Sequence, residues 1–475
     1  MITDEFLYTQ IADKLEKNIS EGVLKTGDKL ISVRMLSKEQ GISISTAFKA
    51  YMQLEMKGLI EARPKSGYYV RLTQKRRSIT PTEANQKEPE HVSLDEMIAM
   101  VFNQINTEGI TRFSQAAPAM ELLPQVKLNK ALAEAVRQSS RNCVNYEEIQ
   151  GNLPLRKQIA RQAFNWGGTI NEHDIVTTQG CIEALFFCLK AVTRPGDTVA
   201  IESPAYFGTF KLLKSLELNV LEIPSHPDNG INLEYLKDAL EKVKINACLF
   251  VTNFANPIGS LMSDDSKKAL VELLAKHEVP LIEDDIYGDL YFGKTRPRTC
   301  KSYDKKGLVL LCSSVSKSLA PGYRVGWCIP GKFTAQIVDL KLTHSISSAT
   351  PTQTAIGLFF ETGRFDLHLR NLRKSLHTQC LRYLQAISEH FPEETKVSEP
   401  KGGYVLWIEM NPKVDAFALY KSAFKYNISI APGQIFSTDG RFKNCIRISF
   451  GIPFSKEIDQ CLKILGTLVK DMIKA

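Results

Sequence analysis

Ser314-Val315-Ser316-Lys317-Ser318-Leu319-Ala320-Pro321-Gly322-Tyr323-Arg324-Val325-Gly326 follows an apolar run, Leu308–Ser313, that reads as a buried strand. A lysine placed there can form an imine with an aldehyde cofactor. Ser314, Ser316 and Arg324 add two hydroxyls and a guanidinium suited to a phosphate dianion. A lysine flanked by serines is common by chance, whereas its spacing to Pro321-Gly322 and Arg324 is not.

Around this stretch, β-type runs at Thr198–Ile201, Ala247–Thr252 and Pro280–Ile282 alternate with helical patterns such as Asp264–His277. In that segment Leu270, Leu273 and Leu274 share one face. From about residue 94 onward the alternation predicts an α/β fold, a mainly parallel sheet covered by helices on both sides. After a Ser455 cap, Ile458, Leu462, Leu465 and Leu468 are spaced for one buried helix face.

Three more motifs in this region carry compatible chemistry. Glu283-Asp284-Asp285-Ile286-Tyr287 places Asp284 at a strand's carboxyl end, where open α/β sheets bind ligands. A carboxylate there can keep a pyridine nitrogen protonated, and Tyr287 can donate to a ring hydroxylate. Read alone, the same residues also make a solvated acidic loop. Asn253-Phe254-Ala255-Asn256-Pro257-Ile258-Gly259 is a turn whose Asn256 can reach the same ring oxygen. Thr178-Gln179-Gly180-Cys181-Ile182-Glu183-Ala184-Leu185 enters a helix whose first amides can cradle a phosphate. In Pro204-Ala205-Tyr206-Phe207-Gly208, Tyr206 serves ring stacking or the core equally well.

The amino-terminal end is a different module. Tyr8 to Ile19 spaces Ile11, Leu15 and Ile19 as a helix; Ser32 caps a second over Val33–Gln40, which Gly41 ends. A third runs from Ser45 to Lys57 with Ala47, Tyr51 and Leu54 inward, and Gly58 stops it. Two helices joined by a tight turn make a helix-turn-helix pattern. Leu59–Arg63 and Gly67–Val70 then read as a β-hairpin wing. Arg34, Ser43, Ser45, Thr46, Arg63 and Lys65 are the candidate contacts to phosphates and groove edges. A small protein-docking module is the bland alternative.

Of the chain's 475 residues, 43% are hydrophobic and 24% charged, enough for two or three domains with sizeable cores. Net charge is +8, and residues 1–77 hold 14 Lys and Arg against 9 Asp and Glu, an excess that suits a partner bearing phosphates. The acidic start Met1-Ile2-Thr3-Asp4-Glu5 and the lack of a long apolar stretch point to a cytoplasmic protein with no membrane partner. Ten scattered cysteines read as reduced thiols, and no metal site is expected. The expected domains are 1–72, a polar linker at 73–93, and 94–475.

Gly27-Asp28-Lys29-Leu30, Ser32-Val33-Arg34, Leu36-Ser37, Gly41-Ile42-Ser43, Gly58-Leu59-Ile60 and Gly67-Tyr68 together resemble the winged helix-turn-helix of GntR-type regulators. Ile31 replaces the usual proline, and Ile44 stands where a basic residue is common at the recognition-helix start. The motifs of residues 94–475, in their order, resemble fold-type-I pyridoxal-phosphate aminotransferases, with a large sheet domain and a smaller α+β subdomain. That resemblance implies pyridoxal 5'-phosphate as cofactor, with Lys317 carrying the internal aldimine and Asp284 on the pyridine nitrogen. Tyr287 and Asn256 would contact the ring hydroxyl and Tyr206 would stack on the ring. Gly180, Cys181, Ser314, Ser316 and Arg324 would surround the phosphate, although Cys181 stands where serine is frequent. Arg447, in Cys445-Ile446-Arg447-Ile448-Ser449, matches the arginine that clamps a substrate carboxylate, and Tyr146 matches a tyrosine lent by the neighbouring subunit.

The fusion resembles the MocR subgroup of GntR-type regulators. It implies a homodimer that binds a double-stranded DNA operator and senses an amino acid or amine effector through aldimine exchange. A working aminotransferase with a DNA-binding appendage uses the same residues. A degenerate scaffold that only pairs the heads would not need Lys317, Asp284 and Arg447.

Overall fold

The computed structural model describes residues 7–21, 23–25, 27–63, 66–71, 79, 81, 97–99, 101, 109–138 and 143–474. Lys65, and all of the expected linker at 73–93 except Ile79 and Pro81, lie outside the described residues. The chain divides into two compact units, 1–76 with 380–389, and 77–379 with 390–475.

In the first unit, helices Leu7–Ser20, Val33–Glu39 and Ile44–Met56 precede an antiparallel hairpin of Ile60–Arg63 and Gly67–Val70. Ile11, Ala12, Leu36, Ala47, Tyr51, Leu54, Ile60 and Val70 form one buried cluster, as the helical and alternating spacings require. Ser32 Oγ accepts from the Met35 amide at 3.2 Å, so the expected cap is present. Gly41, at φ 62, takes the left-handed turn between the second and third helices, where a side chain would be strained. The third helix begins one residue earlier than its sequence suggests, because Ser43, and not a later hydroxyl, serves as N-cap.

The second unit is built on an eight-stranded sheet. Its order across the sheet is Val176–Thr178, Gly326–Ile329, Val309–Ser314, Leu281–Asp284, Ala247–Phe250, Thr198–Ser203, Asn219–His226 and Gly230–Ile231. The five strands from Val309–Ser314 to Asn219–His226 pair parallel, while Gly326–Ile329 and Gly230–Ile231 run antiparallel to their neighbours. Parallel strands buried on both faces need continuous apolar runs, which is why four of the five were legible as short hydrophobic blocks; Asn219–His226, interrupted by Glu222 and Pro224, was not. A smaller antiparallel sheet orders Lys396–Val397, Val405–Glu409, Cys445–Ser449 and Ala431–Pro432. The last helix spans Lys456–Lys474 and buries Ile458, Leu462, Leu465 and Val469. Leu468, expected on that face, is only partly buried, because the helix turn places Val469 against the core. Among the described residues no helix is long and apolar enough to cross a membrane.

Candidate functional site

The parallel strands end on a common edge, and the chemically active residues leave from those ends. Asp284 is the last residue of its strand and Ser314 the last of the next one. Tyr206 follows the Thr198–Ser203 strand, and Asn256 follows Ala247–Phe250. Residues remote in sequence thus meet at the carboxyl edge of the sheet, the expected ligand position in this architecture.

Asp284 is partly buried and accepts from Cys181 Sγ at 3.3 Å and from the Ile286 amide at 3.1 Å. Burial pushes its carboxyl up to about 6, moderated by those two donors, so it is still mostly ionised at neutral pH. Tyr287 is buried, and Asn256 Nδ2 donates to its Oη at 3.4 Å. Asn256 Oδ1 in turn accepts from Arg447 Nη1 at 3.2 Å, so one amide joins the tyrosine to the arginine. Tyr206 is partly buried, its ring 4.6 Å from that of Phe207 between centroids.

Lys317 sits one turn beyond Ser314, and burial together with the nearby Arg447 draws its amine down to about 8. Its Nζ donates to the Ala116 carbonyl. Arg447 is fully buried, donates from Nη2 to the Ser114 carbonyl, and leaves Nε without a partner. Lys317 and Arg447 are therefore both held by backbone oxygens of the single short stretch Ser114–Ala116.

At the far side of the lysine, Arg324 adopts a left-handed backbone at φ 53, after the short turn Pro321–Tyr323. Its guanidinium donates to Ser316 Oγ at 3.3 Å and to the carbonyls of Pro321 at 3.2 Å and Gln179 at 3.0 Å. Gly180, at φ 88, opens the helix Cys181–Val192 without a side-chain cap, leaving its first amides for an anion. A Cβ on Gly180 would fall 2.3 Å from Arg324 Nη2, and one on Gly326 would fall 2.5 Å from the Gly180 backbone. At Gly326 the backbone of Gly180 leaves no room for a side chain, and at Gly180 the positive φ favours glycine. Ser314 Oγ accepts from the Ser316 amide at 3.3 Å.

Tyr146 does not join these residues within the chain and is 83% exposed. The segment after it is pinned, since Asn152 Nδ2 donates to Glu147 at 3.0 Å and buried Arg156 pairs with Glu148 at 2.5 Å. In the head, Arg34, Ser43, Ser45 and Arg63 are exposed and Thr46 is partly buried. Arg63 also pairs with Glu61 at 2.7 Å and lies 4.3 Å over the Tyr69 ring, which sets its direction on the wing.

Sequence reasoning missed three features of the site. Tyr404 donates from Oη to the Lys317 carbonyl; its signal was the pair Gly402-Gly403 before an aromatic residue. The Ser114–Ala116 carbonyls had no signal, since backbone oxygens are common to every residue. Behind Asp284 lies a buried polar group: Asp285 accepts from Arg296 at 2.5 Å and from Asn253 at 2.7 Å, while Lys267 donates to Asn253 at 2.7 Å and to the Arg298 carbonyl at 2.8 Å. The lysine itself reads as ordinary surface in sequence.

The depressed Lys317 amine gives a pH test. An aldehyde is attacked by the neutral amine, so capture of pyridoxal phosphate should accelerate as pH rises toward about 8 and level off above it. Stopped-flow absorbance from about one unit below to one unit above that value checks this. A rate that keeps climbing tenfold per unit past it would mean an ordinary lysine.

Fold and site define a two-part class: a winged helix-turn-helix head joined to an aminotransferase-type domain. The aminotransferase class I and II family matches residues 110–465, and the gntR family of bacterial regulatory proteins matches residues 7–70. The chain is 36% identical over 462 residues to the uncharacterized HTH-type transcriptional regulator YjiR of Escherichia coli (strain K12), spanning 97% of this chain and 98% of that protein. It is also 36% identical to the uncharacterized HTH-type transcriptional regulator YdcR of the same organism, over 98% of this chain and 99% of that one. Among solved structures, the multiple substrate aminotransferase from Thermococcus profundus aligns with TM-score 0.75 at 23% identity, over 80% of this chain and 96% of that one. The chain belongs to the GntR-type transcription regulators of MocR architecture, in which an aminotransferase class I and II domain follows the DNA-binding head.

Proposed function

We propose that this regulator holds pyridoxal 5'-phosphate on Lys317 and answers to an amino acid or related amine by changing how its heads engage operator DNA. The observation that carries the reading is that Lys317 and Arg447, an amine and a guanidinium, are both donating to the carbonyls of Ser114–Ala116. A ligand with one amino and one carboxylate group can replace Lys317 on the cofactor with the first and engage Arg447 with the second.

The residues present fit the cofactor. Gly180, Cys181, Ser314, Ser316 and Arg324 would hold the phosphate, beside Gly326, where the Gly180 backbone leaves no room for a side chain. Asp284 would face the pyridine nitrogen, Tyr287 and Asn256 the ring hydroxyl, and Tyr206 the ring plane. Bound there, the cofactor supplies an aldehyde carbon that exchanges one amine for another. Asp284, whose carboxyl burial raises to about 6, would keep a proton on the ring nitrogen, and Cys181 Sγ donates to that carboxylate. Arg447 offers its unpaired Nε and its fork to a carboxylate, with Asn256 fixing the fork's plane. Tyr404 fixes the backbone from which Lys317 projects.

Regulation requires that the ligand bind one arrangement better than another. Amine exchange would free Lys317 to donate again to Ala116, while the ligand carboxylate would draw Arg447 from the Ser114 carbonyl, in a stretch that follows the linker in sequence. The basic linker stretch Lys75-Arg76-Arg77, which we propose relays the change to the heads, lies outside the described residues. Exposed Tyr146 on its pinned segment supports a homodimer in which each subunit lends the other a tyrosine, and paired heads suit a two-fold operator. The cytoplasm, where the operator is, is the proposed location.

The test is a titration of the cofactor-loaded protein's visible spectrum with amino acids and with simple amines, repeated in Arg447→Ala. Amino acids should act at much lower concentration than amines, and Arg447→Ala should erase that difference. Equal potency of both classes in the unaltered protein sinks the carboxylate clamp. On the DNA side, Arg34→Ala with Arg63→Ala should weaken duplex binding and lower the slope of log affinity against log salt by about one per lost phosphate contact. An unchanged slope places the contact surface elsewhere.

A further inference from the structure

We infer that Ile44 and Phe48 read thymine, packing on its C5-methyl group in the major groove, so that the head selects sites by apolar contact in place of a guanine fork. This rests on the reading that the head binds duplex DNA. The recognition helix Ile44–Met56 buries Ala47, Ala50, Tyr51 and Leu54 in the head's core. On its outer side Ile44 is 56% and Phe48 45% exposed, four residues apart and hence neighbours on one face.

The polar groups at this helix start are already engaged. Ser43 Oγ accepts from the Thr46 amide at 3.0 Å and lies 2.8 Å from both Ser45 Oγ and Thr46 Oγ1. That cap draws three hydroxyls toward one another. No arginine or lysine occurs between Ser43 and Phe48, so the first turn has no fork for the O6 and N7 acceptors of guanine. The first cation, Lys49, has its Nζ 5.9 Å over the Tyr8 ring, on the side of the first helix. Beside these accessible but mutually bonded hydroxyls, the helix start presents Ile44 and Phe48. Arg34 and Arg63, both exposed, belong to the same module and are available for phosphates. Cations of this kind complement a nucleic acid backbone, and the thymine methyl is the apolar feature that the major groove presents.

The experiment begins by selecting duplexes from a randomised pool with the full-length protein. Each thymine of the strongest duplex is then replaced by deoxyuridine, which removes the methyl and nothing else. Thymine should recur at fixed positions of each half-site, and each contacted methyl lost should weaken binding about fourfold. Ile44→Ser and Phe48→Ser, at exposed positions, should keep the salt dependence and become indifferent to uridine at their own positions. Selected sites fixed by guanine, or uridine substitutions without effect, overturn the inference while salt-sensitive binding leaves the DNA reading standing. If no duplex is bound in a salt-sensitive manner, both fall and the apolar pair faces a protein.

Discussion

Lys317→Ala will leave the protein unable to retain pyridoxal phosphate through borohydride reduction, with loss of essentially all of the fixed label and of the visible band. Two other buried lysines make this a real discrimination. Lys341 is likewise drawn down to about 8 by burial, yet its Nζ donates to the Thr177 carbonyl at 2.8 Å. Lys267 is held between Asn253 and the Arg298 carbonyl. Neither adjoins the arginine that suits a phosphate, whereas Lys317 directly follows Ser316, whose hydroxyl accepts from Arg324. Peptide mapping of the reduced protein settles the attachment point. Undiminished label in Lys317→Ala, or label mapped to Lys341 or Lys267, defeats the assignment.

Arg296→Met is expected to destabilise the larger unit by about 3–5 kcal/mol, because a buried charge would lose its partner. Asp285 is 2% exposed, and Arg296 pairs with it at 2.5 Å while also reaching Asp289 at 2.6 Å. The surrounding carboxylates hold the Arg296 guanidinium above its ordinary range, a sign of mutual stabilisation that outweighs its burial. Asp285 adjoins Asp284 in sequence, so cofactor affinity should fall as well. Urea unfolding followed by tryptophan fluorescence reads the first effect, since Trp166 and Trp327 line the pocket that holds Asp285 and Arg296. Arg296→Lys, keeping the charge but not the fork, should lose less. A midpoint unmoved by Arg296→Met would show that Asp285 finds another donor or takes up a proton.

Much of this organisation was legible along the chain because it depends on local rules. Buried parallel strands need short apolar runs, and ligands of such sheets gather at strand ends, so Asp284, Asn256 and Lys317 were recognisable by position. Residues that act through partners remote in sequence were less so. Tyr206 remained open between core and ring stacking, and its partly buried ring packs on Phe207. Cys181, suspect as a serine replacement, turns out to donate to Asp284, a pairing that neither motif contains by itself.

The sequence by itself determined the winged head and its Ser32 cap, the alternating strand and helix order, and the residue types gathered at the strand ends. Each follows from periodicity, capping or the limited conformations of glycine and proline, which act over a few residues. The Ser43 cap of the recognition helix is equally local, whereas only the tertiary structure decided that Ile44 and Phe48 stay outward. It also decided that Arg447 and Lys317 share the carbonyls of Ser114–Ala116 and that Lys267 is buried. These depend on which backbone oxygens come within reach once the sheets are stacked. A backbone oxygen is the same for every residue type, so no pattern of side chains along the chain can announce it.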